Sequence, residues 1–398
     1  MDSRLRGNDA TFRRASGDEG SLQFIGTTTI EILRSAQNDR WGTFFRRGKA
    51  EATVQDAVKE RGLFMVNLGI AGMGYIGRVH LEASRKVPEA QVVAVATLQP
   101  NPILDSYPGA RVYSTYKELL EDDRLDAVVI CLPTDLHEQV ALEAAERGRH
   151  VLCEKPMGLD AASAQRMLGA AQDHGCVLMV AHILRFWPQY TRIKELITSG
   201  EIGSVRSVTA HRLSKFPDWS DWFRNPARSG GGLLDLQVHD VDFIHWILGH
   251  PLTVRTVGLQ SPGGSWDHVH TTLTYPEAQA SVEASLLMPE SWPFSTGIRV
   301  LGTNGVIEYT FRVGANIQER EQASHFFRLY KNDGQVCEPA VAEEDMFAAE
   351  LRYFVRCVAE RRPPLLCLPE ETCRVMQVMT ASRQSAESGE VVALDDPA

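Results

Sequence analysis

The stretch Val66-Asn-Leu-Gly-Ile-Ala71-Gly72-Met-Gly74-Tyr75-Ile76-Gly77-Arg-Val-His80 decides how this chain begins to fold. The apolar run ending at Ala71 predicts a buried strand. Ile76, Val79, Leu81 and Ala83 then repeat at helical spacing up to a stop at Pro88. Between them Gly72 lets the backbone turn, Gly74 lets it approach a pyrophosphate, and Gly77 lets helix and strand pack. The first free N–H groups of the helix, with Tyr75 and Ile76, face the phosphates. Gly-x-Gly-x-x-Gly alone is not specific; its value here is that a strand precedes it and a helix follows.

From Met65 onward the same alternation continues. Strands are expected at 66–71, 92–97, 127–132, 150–153 and 176–181, and helices at 75–86, 116–121, 138–147 and 161–173. Short buried strands alternating with helices predict an α/β fold, a doubly wound parallel Rossmann sheet over 65–186 with ligands at the carboxyl ends of the strands. The loops 72–75, 97–102, 132–137 and 153–156 then share one rim. In the second, a dinucleotide's ribose is read by Asp or Glu for NAD and by Arg or a small hydroxyl residue for NADP. Here the strand ends Ala96-Thr97-Leu98-Gln99. Thr97 suits either, so the choice between NAD and NADP stays open. The fourth loop is Cys153-Glu154-Lys155-Pro156, where Pro156 keeps Lys155 extended and permits a cis bond. A lysine aimed across the rim would help a reacting hydroxyl lose its proton, and the same tripeptide also suits a surface turn.

After His182-Ile-Leu-Arg185-Phe-Trp187 the pattern changes to period-2 segments at 205–213, 254–259, 268–275, 280–286, 297–301 and 306–311, with Asn304-Gly305 as a hairpin turn. They predict a second α/β domain over 187–398 with an open, mostly antiparallel sheet, one face covered and the other used for self-association. Helices at 345–360 and 370–388 follow, to cover the sheet or brace the junction. Within this half lies Gly230-Gly-Gly-Leu-Leu-Asp235-Leu-Gln-Val-His239, read as the start of one helix ending at Gly249. One turn apart, Asp235 can hold the imidazole of His239 in one tautomer. A surface Asp and His pair has the same spacing.

The glycine loop, Glu154-Lys155-Pro156 and Gly-Gly-Gly-x-x-Asp235-x-x-x-His239, in this order, resemble the glucose-fructose oxidoreductase, inositol dehydrogenase and MocA family. Leu132-Pro133-Thr134-x-x-His137 is a further family-like element. The resemblance runs from about Met65 to the C-terminus. It implies a Rossmann domain, a C-terminal domain with an open sheet, homodimers or homotetramers formed through that sheet, and NAD or NADP as cofactor. It also implies that Lys155, Asp235 and His239 match the catalytic positions, with Leu132, Pro133, Thr134, His137, Glu154 and Arg185 near the cofactor. The expected reaction is hydride transfer between nicotinamide and a secondary alcohol of a cyclic polyol or sugar. His182, Arg185, Trp219, Trp222 and Phe223 are candidates to meet the substrate, and ordinary packing at a domain junction accounts for them equally well. A glycosidase that keeps its NAD bound and a non-catalytic dinucleotide or sugar sensor are the rival readings.

The chain has 398 residues, 43% hydrophobic and 23% charged, with 41 basic against 51 acidic side chains. A net charge of −10 disfavours general binding to nucleic acid or anionic lipid. Its seven cysteines form no Cys-x-x-Cys pair and read as reduced core residues of a cytoplasmic protein. No uncharged stretch reaches the roughly 18 residues of a membrane span. Residues 1–64 show no sustained periodicity, and their runs resemble translated bacterial intergenic repeats. They are expected to be a disordered arm or a spurious extension upstream of Met65. His137-Glu138 has Ala141 where a zinc protease needs its second histidine. His268 and His270 share a strand face without a recognisable third ligand, so no metal is expected.

Overall fold

The computed structural model describes residues 64–98, 103, 107, 109–217, 221–313 and 323–395. The readings made for residues 1–63, Gln99 and Trp219 lie outside the described residues. In β1 (Val66–Ala71) every residue but Asn67 is buried, as a strand covered on both faces requires. It is followed by α1 (Tyr75–Ser84), β2 (Ala90–Ala96), β3 (Arg111–Tyr113), α2 (Tyr116–Leu120) and β4 (Ala127–Ile130). Then come α3 (His137–Glu146), β5 (His150–Cys153), α4 (Ala161–Asp173) and β6 (Leu178–Val180). The six strands are parallel in the order β3-β2-β1-β4-β5-β6. Because β2 and β4 flank β1, the winding reverses there and a crevice opens at the carboxyl ends. Expected and observed elements agree within two residues at either end. β3 went unseen because Arg-Val-Tyr carries no apolar run.

The second half comprises α5 (Pro188–Thr198), β7 (Val205–Lys215), α6 (Pro226–Ser229), α7 (Gly231–Asp235), α8 (Val238–Leu248) and β8 (Thr253–Gln260). β9 (Trp266–Thr274), β10 (Gln279–Met288), β11 (Phe294–Gly302), β12 (Gly305–Val313), β13 (Ser324–Lys331) and β14 (Val336–Cys337) follow. The last elements are α9 (Met346–Ala359), α10 (Pro369–Ser388) and β15 (Val392–Ala393). Nine strands pair in the order β14-β13-β12-β11-β7-β10-β9-β8-β15, all antiparallel except β7 with β10. Alternation sorts the faces. Val254, Val269, Thr271, Val282, Val208 and Ala210 are buried under the helices, while Val257, Leu259, Leu301 and Phe326 stay exposed on the outer face.

α10 packs on both β8 and α4, so it covers the second sheet and braces the first. α9 goes further and returns to α1 and β1. Asp345, which caps α9, also pairs with Lys86 at 2.7 Å, and Phe347 meets the His80 ring edge-on. A boundary at residue 187 therefore divides the two sheets but not the helices that cover them. Five of the seven cysteines are buried and all are free thiols. Among the described residues no helix is long and apolar enough to cross a membrane.

Candidate active site

Four strands of the first sheet, β1, β4, β5 and β6, each hand their loop to the rim through one backbone hydrogen bond. Gly72 N–H donates to Ala96 O, Cys131 N–H to Ala71 O, Glu154 N–H to Ile130 O and Ala181 N–H to Cys153 O, at 2.8–3.0 Å. Gly72 has φ +98°, and a Cβ there would sit 2.4 Å from the Cys131 carbonyl oxygen. A Cβ at Gly77 would lie 2.0 Å from the Gly72 carbonyl oxygen. Both glycines are therefore demanded by the turn and by the approach of α1 to β1. Gly74 differs: it is exposed, and a Cβ there would meet nothing. Gly74 is also the N-cap of α1, whose N-terminus has no side-chain cap and no acid in its first turn. The start of α1, opening beside the space at Gly74, suits a pyrophosphate. Leu132, Pro133 and Thr134 lie on the neighbouring loop, with Thr134 buried. Thr97 follows β2, its N–H donating to Tyr113 O.

Lys155, at the end of β5, reaches across to the second half. Its Nζ donates to the Asp235 carboxylate at 3.0 Å and to the Asp235 carbonyl at 2.8 Å. The peptide bond from Lys155 to Pro156 is cis. The single helix expected from the glycines to Gly249 is two, because the chain turns at Leu236 and Gln237. That break leaves the carbonyl of Asp235 to Lys155, and the carboxylate expected to hold His239 holds the lysine instead. His239 opens α8 with its Nδ1 buried and unpartnered among the described residues. Burial, followed by the positive charges of Lys155 and Arg212, holds its pKa well below the usual imidazole range. His239 is thus neutral at pH 7, with Lys155 close enough to act on its titration. Of the three, Lys155 and Asp235 pair directly, and Asp235 serves the lysine.

What fixes His239 is a pair of buried clamps that the sequence reading did not find. Asp240 accepts from Arg212 of β7 at 2.8 and 3.1 Å, and Asp242 from Arg185 at 3.0 and 2.7 Å. All four side chains are buried, and both pairs have the two-pronged geometry of guanidinium on carboxylate. The spacing Asp240-x-Asp242 beside His239 was the available signal. Arg185, expected at the cofactor or substrate, is buried and also donates to the Leu366 carbonyl at 2.8 Å, so three of its five N–H groups are committed inside the protein. His182 is also buried, with Nε2 3.5 Å from Asp242, and burial lowers its pKa to about 4.

His137 is a bracket between rim loops. Its ring nitrogens lie 2.8 Å from the carbonyl oxygens of Pro156 and Leu132, so neither is left for a ligand. Glu154 is buried, 2.7 Å from His80 Nε2 and close to Glu350 of α9. Glu350 is fully buried with both oxygens unpartnered among the described residues; burial, then the Glu154 charge, raises its pKa well above the carboxylate range. Trp222 and Phe223 stack on each other at 4.0 Å in the half-buried segment before α6. Arg228 of α6 pairs with Asp135 at 2.8 Å, tying that segment to the rim. The glycines before Asp235 admit another segment of chain: Gly231, at φ +72°, packs on Ser265 and Asp267, and Gly232 N–H donates to the Asp267 carboxylate at 2.8 Å.

Both halves of the chain match known family models. Residues 66–182 match an oxidoreductase family with an NAD-binding Rossmann fold, and residues 190–308 match the GFO/IDH/MocA C-terminal domain. The chain is 32% identical to D-xylose 1-dehydrogenase (NADP(+)) 2 of Haloferax volcanii, over 82% of this chain and 99% of that protein. It is 31% identical to inositol 2-dehydrogenase of Rhizobium meliloti, over 61% of this chain and 74% of that one. The structure of GenD2 from gentamicin A biosynthesis in complex with NAD superposes with a TM-score of 0.71 at 25% identity, covering 88% of this chain and all of that one. A glycine-turn crevice at a winding reversal, a rim lysine paired with Asp235 of the second half, and likeness to such an enzyme over 82% of this chain lead to one conclusion: this chain belongs to the GFO/IDH/MocA family of nicotinamide-dinucleotide-dependent oxidoreductases.

Proposed function

We propose that the protein interconverts a secondary alcohol and a ketone, or a hemiacetal and a lactone, on a sugar or cyclic polyol. The observation that carries this reading is the pairing of Lys155 with Asp235 beside a neutral His239. The Gly72–Gly77 loop and the start of α1 would hold a nicotinamide dinucleotide, which would supply the hydride acceptor or donor. His239 takes the hydroxyl proton as the C–H bond is lost to the acceptor, and returns it in the reverse reaction. Its depressed pKa keeps it unprotonated and ready at neutral pH. Lys155 stabilises the developing alkoxide, and Asp235 keeps that ammonium in place. Arg185 and Arg212 fix the helix that presents His239. Trp222 and Phe223, on the segment beside the glycines, are the apolar wall for a sugar ring. The exposed Val257, Leu259, Leu301 and Phe326 support self-association through the outer face of the second sheet.

The test is a panel of inositols, aldoses and deoxy sugars with NAD or NADP, read as absorbance of the reduced nicotinamide. A rise with one polyol or sugar names the substrate and the preferred cofactor. Release of a free sugar from a glycoside with no net change in absorbance would instead identify the hydride-cycling glycosidase, and dinucleotide binding without turnover the sensor.

A further inference from the structure

His268 and His270 are two residues apart on β9 and share its outer face, while Asp267, Val269 and Thr271 face the helices. The register between strands adds what the linear sequence withholds. Glu283 of β10 stands directly opposite His270 and so shares that face. The two imidazoles and the carboxylate each offer a ligand atom, and these atoms lie within 4.8 Å of one another. The two rings sit 5.1 Å apart, nearly perpendicular.

We propose that His268, His270 and Glu283 bind one divalent transition-metal ion of the zinc type. Two imidazoles and one carboxylate are a donor set that suits zinc, at about 2.0–2.2 Å per bond, with water completing a tetrahedron. Small side-chain rotations draw the three donors in, because all stand on adjacent, rigidly paired strands. Val257 and Leu259 of β8, opposite His270 and His268 in register, fence the site with apolar surface on one side. On the other side His211 of β7 faces Glu283 in register but leans its ring over Gly297, where a Cβ would come within 2.5 Å of it. It is therefore a neighbour and not a fourth ligand. The sheet itself separates the metal from His239, whose helix packs on the inner face, so this ion plays no part in hydride transfer. It links β9 to β10 and stabilises the native sheet, which alone holds the three donors together.

Equilibrium dialysis of the full chain against Zn²⁺, with Co²⁺ absorption as a reporter of coordination, tests this. The expected result is one tight Zn²⁺ per chain, a raised melting temperature with Zn²⁺, and visible bands of four-coordinate Co²⁺. His270→Ala should weaken binding about 100-fold and His268→Ala/His270→Ala should abolish it; Glu283→Gln, nearly isosteric, should weaken it about tenfold. Dehydrogenase activity should persist in all three variants, which also shows that they fold. The proposal is overturned if the double variant keeps its tight Zn²⁺, if Cys337→Ser, at an exposed thiol, removes it instead, or if the native chain takes up no Zn²⁺.

Discussion

At the scale of single residues the proposed chemistry turns on a histidine kept neutral by its surroundings. His239→Ala should abolish turnover while dinucleotide still binds, measured by single-turnover absorbance and by quenching of protein fluorescence; retained turnover would remove His239 from the mechanism. Lys155→Met should lower kcat about 100- to 1,000-fold, since one donor aimed at a developing oxyanion has that worth, with little change in cofactor affinity. The depressed pKa of His239 also sets a pH dependence. The base form is lost only on acidification below its folded pKa, so the acidic limb of kcat/KM for oxidation should fall below pH 6.5, the ordinary imidazole value. The identities of Lys155, Asp235 and His239 were legible in sequence because motif order carried them. Their partnership was not, since it depends on a break at Leu236 and Gln237 that no breaker residue announces.

Among elements, α1 and α8 carry the two halves of the site and are fixed by opposite means. α1 is seated by close approach: Gly77→Ala would push a methyl into the Gly72 carbonyl oxygen and tilt the helix off β1. Dinucleotide affinity should fall about tenfold or more, read by titration calorimetry. α8 is seated by charge. Asp240→Asn would leave Arg212 buried without its carboxylate and should cost about 3–5 kcal/mol in urea unfolding, whereas a surface pair such as Arg206 with Glu277 should cost under about 1 kcal/mol. Most strands and long helices could be placed from apolar period, but α5 (Pro188–Thr198) and β13 (Ser324–Lys331) are not among the expected elements. The edge strand β3 has no buried stripe. Buried clamps are likewise invisible to periodicity, because Arg185, Arg212, Asp240 and Asp242 look like surface residues until tertiary structure pairs them.

For the whole molecule two buried titrating groups pull stability in opposite directions. Burial lowers His182 to about 4, so the unfolded chain takes up its proton first as pH falls below 6.5. Stability should then be lost between pH 6.5 and 4, by about 3 kcal/mol from this group. Glu350 has the reverse sign. Its pKa is raised by burial and by Glu154, so its contribution is present below the unfolded carboxylate pKa of 4.5 and is lost as pH rises toward the folded value. Glu350→Gln should therefore stabilise the protein at pH 7, and thermal unfolding across pH 4–8 should show that gain shrinking with acidification. This acid sits on α9, the helix that travels back to cover α1 and β1. On a ribosome, the first sheet is complete at Val180 but its covering helix does not emerge until Ala359 has been made. The nascent Rossmann half must wait, partly uncovered, while β7 to β14 of the second sheet are synthesised, which makes it a natural client for a chaperone and its early truncation products a source of aggregates.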